Sequence, residues 1–338
     1  MAVAASFSFE YVACNSIPGT APRRRNAKVI NMYTVEACPC CQSTKSRGRW
    51  AIVAPFLAHY ALERPPFLCK LLECSTCSFR FFDARLTPEE VTRLYSGYRG
   101  ERYFAERHRW EFWYSRQVND GIGGDPEEIA LRVAALEKLF LPHVNNGRVK
   151  TVLDYGGDRG QFIPKSLGTD KFVFELSDAE PEPGVNRIGS EQELNRMKFD
   201  FIMALGVLEH CSEPADVLEQ LRSCLNPGSL LCIGVPYERY GVGFAGKGSL
   251  YRSYLNALLR LPTALVAVDF YSAAARIRLN HIPPLGLLKC HEHLNFFDIK
   301  SMTALLTRTG FEVVESKIEC IAKYPAKVES LYVLARLR

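Results

Sequence analysis

Two pairs of cysteines near the start of the chain have the spacing of metal ligands. Cys38 and Cys41 form one C-x2-C pair, and Cys74 and Cys77 form a second pair after 32 intervening residues. Four thiolates arranged in this way can hold a tetrahedral zinc ion with no open position, which makes such a site structural rather than catalytic. We therefore predict a zinc site made of these four cysteines, with the neighbouring Cys40 as a spare thiol that could replace one of them.

A glycine-rich loop at residues 154–160 is the second feature with chemical potential. Its three glycines lack the Cβ atom that would keep the backbone away from a ligand, so the loop can approach a nucleotide-like molecule closely. Its order differs from the G-x-G-x-x-G fingerprint of dinucleotide-binding proteins, which weakens the case for a nicotinamide cofactor. Glu175, fifteen residues after Gly160, is placed to accept hydrogen bonds from the two hydroxyls of a ribose.

Short apolar runs alternate with helical stretches from residue 150 onward. The predicted strands are residues 151–154, 171–176, 199–205 and 230–235, with a helix at 214–225. This alternation indicates a parallel sheet covered on both faces, in which ligands bind beyond the carboxyl ends of the strands. Residues 311–319 and 330–337 predict two further strands that form an antiparallel hairpin at the sheet edge.

The motifs in this part of the chain resemble those of class I S-adenosylmethionine-dependent methyltransferases. The matching stretches, in the order of the family, are residues 152–160, 199–202 with 207–210, 225–231, and 293–297 with 305–306 and 310–311. Within the class, the chain is most similar to bacterial methyltransferases of sugar and surface-glycan pathways, which often carry an N-terminal zinc module. The resemblance implies an α/β fold: a Rossmann-like seven-stranded sheet with a terminal antiparallel hairpin, plus a small N-terminal zinc-ribbon-like module.

The resemblance also assigns cofactor-binding residues. Those around the methionine part of S-adenosylmethionine are Asp154, Gly156, Gly157 and Gly160. Those at the adenosine are Glu175 for the ribose and Ser190 and Glu191 for the adenine. Those beneath the methionine tail are Leu205 and Gly206. Asp158 stands where the family usually has glycine, so its carboxylate either binds the cofactor's ammonium group or crowds the site.

Methyl transfer from a sulfonium needs little beyond alignment of a nucleophile and a group that accepts its proton. We expect His293 to be the general base, with His291 and His210 as the next candidates. The alternative is that Glu209 and His210 brace the loop after the fourth strand. In some RNA methyltransferases of this class similar residues bind a metal, but the sequence shows no second acidic–histidine pair for that purpose.

The chain divides into four predicted regions. They are a disordered extension at 1–31, a zinc-binding module at 32–85, a helical aromatic-rich linker or cap at 86–125, and a methyltransferase domain at 126–338 with a helical insertion at 237–290. Met32 is a candidate natural start. Thr87 and Pro88 predict the start of a helix in the linker, whose aromatic residues either pack between the domains or cover the cofactor or substrate.

The insertion contains an apolar, arginine-bearing stretch at residues 250–279. Three roles fit it: a lid over the methyl acceptor, an arm of a homodimer, or a helix that lies on a membrane surface. No run of the sequence reaches the roughly 18 consecutive apolar residues of a membrane-spanning helix.

The composition is that of an ordinary globular protein of 338 residues, 47% of them hydrophobic. Its formal net charge of +5 is spread along the chain, so we predict no nucleic-acid partner. Half of the twelve cysteines are scattered without a pattern, which favours a cytoplasmic location over a disulfide-bonded secreted one.

The leading functional hypothesis is O-methylation of a sugar or glycan-biosynthesis intermediate, ahead of C- or N-methylation. The alternatives are a catalytically silent binding or scaffold protein with the same fold, and then a nicotinamide-dependent oxidoreductase.

Overall fold

The computed structural model describes residues 33–338 except for Ile122, 145–148, Leu176, Asp178, 244–245 and 323–327. The predicted extension at 1–31 and the candidate start at Met32 lie outside the described residues. Among the residues that are described, no helix has the length and apolar character needed to cross a membrane.

The N-terminal part combines short strands with short helices. Its strands are β1 (Tyr33–Thr34), β2 (Ser46–Val53), β3 (Leu68–Cys74), β4 (Arg80–Phe82) and β5 (Ala84–Arg85). Its helices are α1 (Pro55–Tyr60), α2 (Pro88–Tyr95), α3 (Glu101–Trp110), α4 (Arg116–Gly121) and α5 (Pro126–Phe140). The predicted start of α2 is confirmed, because Thr87 and Glu90 form a reciprocal capping box that satisfies two backbone N–H groups at the helix end.

The C-terminal part alternates strands and helices as expected. Its strands are β6 (Thr151–Tyr155), β7 (Asp170–Phe174), β8 (Val185–Ile188), β9 (Phe199–Leu205), β10 (Leu225–Pro236), β11 (Lys289–Cys290), β12 (Asn295–Phe296), β13 (Phe311–Ala322) and β14 (Val328–Leu337). Its helices are α6 (Glu191–Leu194), α7 (Pro214–Ser223), α8 (Gly248–Leu258), α9 (Pro262–Leu279) and α10 (Ile299–Arg308).

Seven of these strands form one mixed sheet in the order β13-β14-β10-β9-β6-β7-β8. Strands β6 to β10 are parallel to one another, whereas β14 runs antiparallel to both β10 and β13. The central strands are almost wholly buried apolar runs, as parallel strands covered on both faces must be. The prediction of an α/β fold with a terminal antiparallel hairpin is therefore confirmed.

A second sheet has five strands in the order β11-β2-β3-β4-β12. Its two edge strands come from one short segment, residues 289–296, that follows the insertion. Cys290 pairs with Val53 at one edge, and Asn295 pairs with Phe81 at the other. The histidine segment thus passes from one edge of the cysteine-bearing sheet to the opposite edge, an arrangement that the sequence analysis did not predict.

The insertion contains two helices rather than one continuous stretch across 250–279. Helix α8 ends at Leu258, and α9 begins at Pro262, whose ring fits only the first turn of a helix. Leu255, Leu258 and Leu265 form a small buried core with Ile52 of β2. One face of the insertion therefore covers the five-stranded sheet.

A buried polar cluster joins the two parts of the molecule. The Arg85 side chain is fully buried and donates to Oδ1 of Asn295 at 2.7 Å. The Asn295 side-chain amide donates to the carbonyl oxygens of Leu208 and Cys211, each at 2.7 Å. The backbone N–H groups of Leu294 and Asn295 both donate to the carbonyl of Glu209. This cluster fixes the loop after β9 against β5 and β12.

We expect Asn295→Ala to lower the free energy of unfolding by about 2 to 4 kcal/mol, because it leaves Arg85 and two buried carbonyl groups short of a partner. Urea denaturation followed by circular dichroism measures this difference. Asn186→Ala is the matched control, since Asn186 lies in β8 and makes one exposed 3.4 Å bond. Equal stability of the two variants would contradict the role of the cluster.

Candidate functional site

Each of the three glycines in the loop after β6 occupies a position that a residue with a side chain would fill only with strain or a clash. Gly156 and Gly160 have φ angles of 74° and 75°, in the left-handed region that glycine adopts without strain. Gly157 is required for another reason, because a Cβ atom there would lie 2.1 Å from Cγ of Asp154. The turn therefore brings its backbone directly over the Asp154 carboxylate.

Asp158 has a φ angle of 50°, although it is not a glycine. The left-handed conformation explains why glycine would suit this position, and aspartate is among the residues that tolerate it best. Its backbone N–H donates to Oε2 of Glu175 at 3.2 Å, which ties the loop to the end of the next strand.

Asp154 is a fully buried carboxylate, and neither of its oxygens has a hydrogen-bond partner among the described residues. Burial raises its pKa to about 8, and the nearby charges of Glu175 and Asp158 act in the same direction. A buried carboxylate without compensation is costly. An acidic pocket under a glycine cradle suits a cationic ligand, and S-adenosylmethionine carries an ammonium and a sulfonium. These residues therefore fit that cofactor.

The other predicted cofactor residues lie along the same edge of the sheet. Glu175 directly follows β7, and its Oε1 accepts from the N–H of Ser177 at 3.0 Å. Ser190 caps α6 by accepting from the N–H of Glu193, and Glu191 is the first residue of that helix. Their contacts with a cofactor stay predictions.

Leu205 and Gly206 occupy the end of the adjacent strand. Leu205 is the last residue of β9, and Gly206 has a φ angle of 74° and donates to the carbonyl of Gly234. Because β6 and β9 are paired neighbours, the loops that follow them leave the sheet side by side. The predicted position beneath the methionine tail is consistent with this geometry.

His210 and His293 lie close together just beyond this edge, with their ring centroids 4.8 Å apart. Nδ1 of His210 is 3.0 Å from the carbonyl oxygen of Glu292, and burial lowers the pKa of this histidine to about 3. Nδ1 of His293 is 2.9 Å from Oε1 of Glu238. Although burial opposes it, this hydrogen bond and the Glu238 charge raise the pKa of His293.

His291 belongs to a separate group of charges. Its Nε2 lies 3.1 Å from Oε1 of Glu111, and Lys289 forms ion pairs with both Glu111 and Asp269. Despite the opposing effect of burial, the charges of Lys289 and His291 hold the pKa of the Glu111 carboxyl well below its usual range. These pairs join the linker, helix α9 and the histidine segment around one space.

That space is a cavity of about 170 Å³. Its aromatic wall consists of Tyr98, Trp113, Tyr114, Tyr240 and Phe296. Its charged residues are Arg107, Glu111, Glu238, Asp269, Arg276, Lys289 and Glu292, and all three candidate histidines reach it. One wall of the cavity comes from α9, and another comes from the aromatic linker. Tyr103 of the linker does not line the cavity and is fully buried. The role of the insertion as a lid stays a prediction.

The four predicted zinc ligands come together at one end of the N-terminal sheet, where only Cys74 belongs to a strand. The sulfur atoms of Cys38 and Cys77 are 3.6 Å apart, and those of Cys41 and Cys74 are 3.5 Å apart. All four sulfurs lie within 4.8 Å of one another. A tetrahedral zinc site with bonds of about 2.3 Å places its sulfurs roughly 3.8 Å apart, so the cluster has suitable dimensions.

Arg308 anchors this cluster to the C-terminal part. It donates to the backbone carbonyl groups of Pro39 and Cys40, at 2.6 and 2.8 Å. The Cys40 thiol, which the sequence marks as a spare, is fully buried.

Comparison with known proteins identifies the family. Residues 127–316, more than half of the chain, match the family described as a methyltransferase domain. Curated relatives include the tRNA U34 carboxymethyltransferases of Pseudoalteromonas atlantica (28% identical over 108 residues) and Campylobacter curvus (32% over 115). These matches cover 27% and 29% of this chain and 33% and 38% of the relatives, so the chain spans about a third of the length of these relatives.

Solved structures with a similar fold include two bacterial methyltransferases. One is a possible histamine N-methyltransferase of Thermotoga maritima, at 16% identity and a TM-score of 0.37, over 62% of this chain and 91% of that one. Another is an N-methyltransferase of Bradyrhizobium japonicum in complex with S-adenosyl-L-homocysteine, at 13% identity and a TM-score of 0.38, over 64% and 89%. Since these scores are low, the assignment rests on the family match: the chain belongs to the family described as a methyltransferase domain.

Proposed function

We propose that this enzyme transfers a methyl group to a hydroxyl of a sugar or glycan-type acceptor bound in the cavity. The observation that carries the proposal is the position of that cavity, which includes His210 in the loop after β9, next to the loop that fits the methyl donor. Donor and acceptor would meet at one edge of the sheet.

The lining of the cavity suits a neutral, hydroxyl-rich ring. The aromatic side chains of Tyr98, Trp113 and Tyr240 would offer apolar surface to the C–H groups of a sugar, whereas Glu111 and Lys289 would offer an acceptor and a donor to its hydroxyls. Three basic and four acidic side chains line the space, so it carries no excess of positive charge that would favour a polyanion.

S-adenosylmethionine supplies an activated methyl group when bound. Asp154 and the glycine loop would hold its methionine part, and Glu175 its ribose. The protein's remaining task is to align the acceptor hydroxyl and to remove its proton. Of the three candidate histidines, His293 is best placed, because Glu238 fixes its Nδ1 and its ring faces the cavity. His291 is instead held in the charge group of Glu111.

A nucleoside in tRNA is the second candidate acceptor, because the two curated relatives are named for tRNA. The balanced charge of the cavity argues against it, since polynucleotide binding depends on basic residues that neutralise phosphates. An assay with both kinds of acceptor separates the two.

The first test is methyl transfer from radiolabelled S-adenosylmethionine to a panel of nucleotide sugars, glycan fragments and bulk tRNA. We expect label in the sugars, and we expect His293→Asn to lower kcat by about 100-fold or more while donor binding is retained. His143→Asn is the control, because His143 pairs with Glu315 outside the cavity. Label in tRNA alone, or full activity of His293→Asn, would contradict the proposal.

The second test concerns Asp154 and pH. Below its raised pKa of about 8 this carboxyl is protonated and neutral, whereas above it the charge attracts the cationic cofactor. Affinity for S-adenosylmethionine should therefore rise as the pH increases through about 8, with proton release at lower pH. Calorimetry in two buffers of different ionisation enthalpy measures both effects.

Asp154→Asn should weaken the binding of S-adenosylmethionine by roughly 10- to 150-fold, which is the cost of losing a hydrogen bond to a charged group. The same variant should lose the pH dependence of binding. Wild-type behaviour of this variant would refute the role.

We propose in addition that the cysteine cluster holds a structural zinc ion. Its four sulfurs would close the coordination sphere, and the sheet that contains Cys74 is also paired with both ends of the histidine segment. Loss of zinc should therefore affect both the N-terminal sheet and the cavity.

Elemental analysis of protein purified without chelator should find zinc, and Cys74→Ser should lose it and lower the melting temperature. Cys69→Ser is the matched control, because Cys69 is a buried cysteine of the same strand outside the cluster. A wild-type protein that is fully folded without metal would exclude the structural zinc.

A further inference from the structure

We propose that Glu209, His210 and His293 form a binding site for a divalent first-row metal ion, such as Mn²⁺, Co²⁺ or Zn²⁺, beside the acceptor cavity. The binding itself is independent of the acceptor, whereas the catalytic role given to the ion rests on the proposed function.

The three side chains supply a suitable set of donor atoms. One carboxylate oxygen and one ring nitrogen from each histidine lie within 4.8 Å of one another. Ligands bound at about 2.0 to 2.2 Å lie roughly 3 to 3.5 Å apart, so side-chain movements of about an ångström complete the site. Two imidazoles and a carboxylate favour a borderline transition metal over Mg²⁺ or Ca²⁺, which prefer oxygen ligands.

The Glu209 carboxylate needs a partner. Its side chain is 1% exposed, and neither oxygen accepts a hydrogen bond from any residue that the structure describes. Buried polar groups in folded proteins are normally satisfied, and a buried carboxylate without compensation is costly. A bound cation would supply that compensation without any rearrangement of the fold.

Both histidines are oriented by contacts at Nδ1. Glu238 lies 2.9 Å from Nδ1 of His293, and the Glu292 carbonyl lies 3.0 Å from Nδ1 of His210. Carboxylate and carbonyl partners of this kind commonly fix the orientation of metal-binding imidazoles. Arg276 of α9 lies 3.6 Å from Glu238, so this helix also supports the arrangement.

The fold, rather than the sequence spacing, brings the third ligand into place. In the sequence the Glu209 and His210 pair has no nearby third ligand, because His293 is 83 residues away. The backbone bonds from Leu294 and Asn295 to the Glu209 carbonyl hold the two segments together.

Three protein ligands leave coordination positions open, which is the pattern of a catalytic metal site. An acceptor hydroxyl, or two neighbouring hydroxyls, would bind there, and the ion would lower the pKa of the bound hydroxyl. The proton then leaves to solvent, the oxygen forms a bond to the methyl carbon, and the carbon–sulfur bond breaks with its electron pair remaining on sulfur. In this form of the mechanism His293 holds the ion and need not take the proton itself.

The test is titration of the zinc-loaded full chain with Co²⁺ in the absence of cofactor and acceptor. We expect the protein to bind one further equivalent of Co²⁺. This Co²⁺ should show weak d–d absorption but no thiolate charge-transfer band, which distinguishes it from Co²⁺ bound at the cysteine cluster.

Glu209→Gln and His293→Gln should each lower the Co²⁺ affinity by about 100-fold or more, and Glu238→Gln should lower it by about 10- to 100-fold. Glu111→Gln, a buried carboxylate of the same cavity outside the cluster, should leave Co²⁺ binding unchanged. Circular dichroism confirms that each variant is folded.

No additional equivalent, or equal Co²⁺ affinity in Glu209→Gln and the wild type, would overturn the site. Full methyl transfer by protein freed of the additional ion would overturn its catalytic role. Failure of every sugar acceptor would count against the proposed function alone, since Co²⁺ binding is measured without acceptor.

Discussion

The arrangement of the whole site depends on how residues 289–296 are paired. Lys289 and Cys290 extend one edge of the five-stranded sheet, and Asn295 and Phe296 extend the other. Between them, the backbone of Leu294 and Asn295 is bonded to Glu209, at the carboxyl end of the larger sheet. Because this segment forms backbone hydrogen bonds with β2, with β4 and with Glu209, its pairing register is tightly specified. His291 and His293 are therefore carried at fixed positions between the two sheets.

This pairing links the N-terminal sheet to the segment that carries His291 and His293. The cysteine cluster lies beside the start of β2, the end of β3 and the start of β4. Strands β2 and β4 are also the ones that pair with the two ends of the histidine segment. Arg85 adds a buried, directional contact from β5 to Asn295. The glycine loop and the cavity also differ in charge: Asp154, Asp158 and Glu175 are all acidic, whereas both basic and acidic side chains line the cavity.

Much of the larger sheet could be predicted from the sequence, because its signals are local. Apolar runs such as residues 199–205, helix starts such as Thr87 and the final pair of strands each depend on nearby residues. The glycine loop is also a local signal. Asp158 stands where the resemblance to the family implies glycine, and its positive φ angle gives the physical reason for that preference. By contrast, β11 and β12 have two residues each and no periodicity, and Glu238 reaches His293 across 55 residues. Contacts of that kind are set by tertiary packing, which local patterns do not encode.

The central claim is that the methyl donor and the cavity face each other across the loop after β9. A crystal structure of the zinc-loaded protein with S-adenosyl-L-homocysteine measures this directly. We expect the amino group of the ligand beside Asp154, its ribose at Glu175, and its sulfur directed past Gly206 toward His210 and His293. A ligand bound with its sulfur turned away from the cavity, or bound outside the 154–160 loop, would contradict the account.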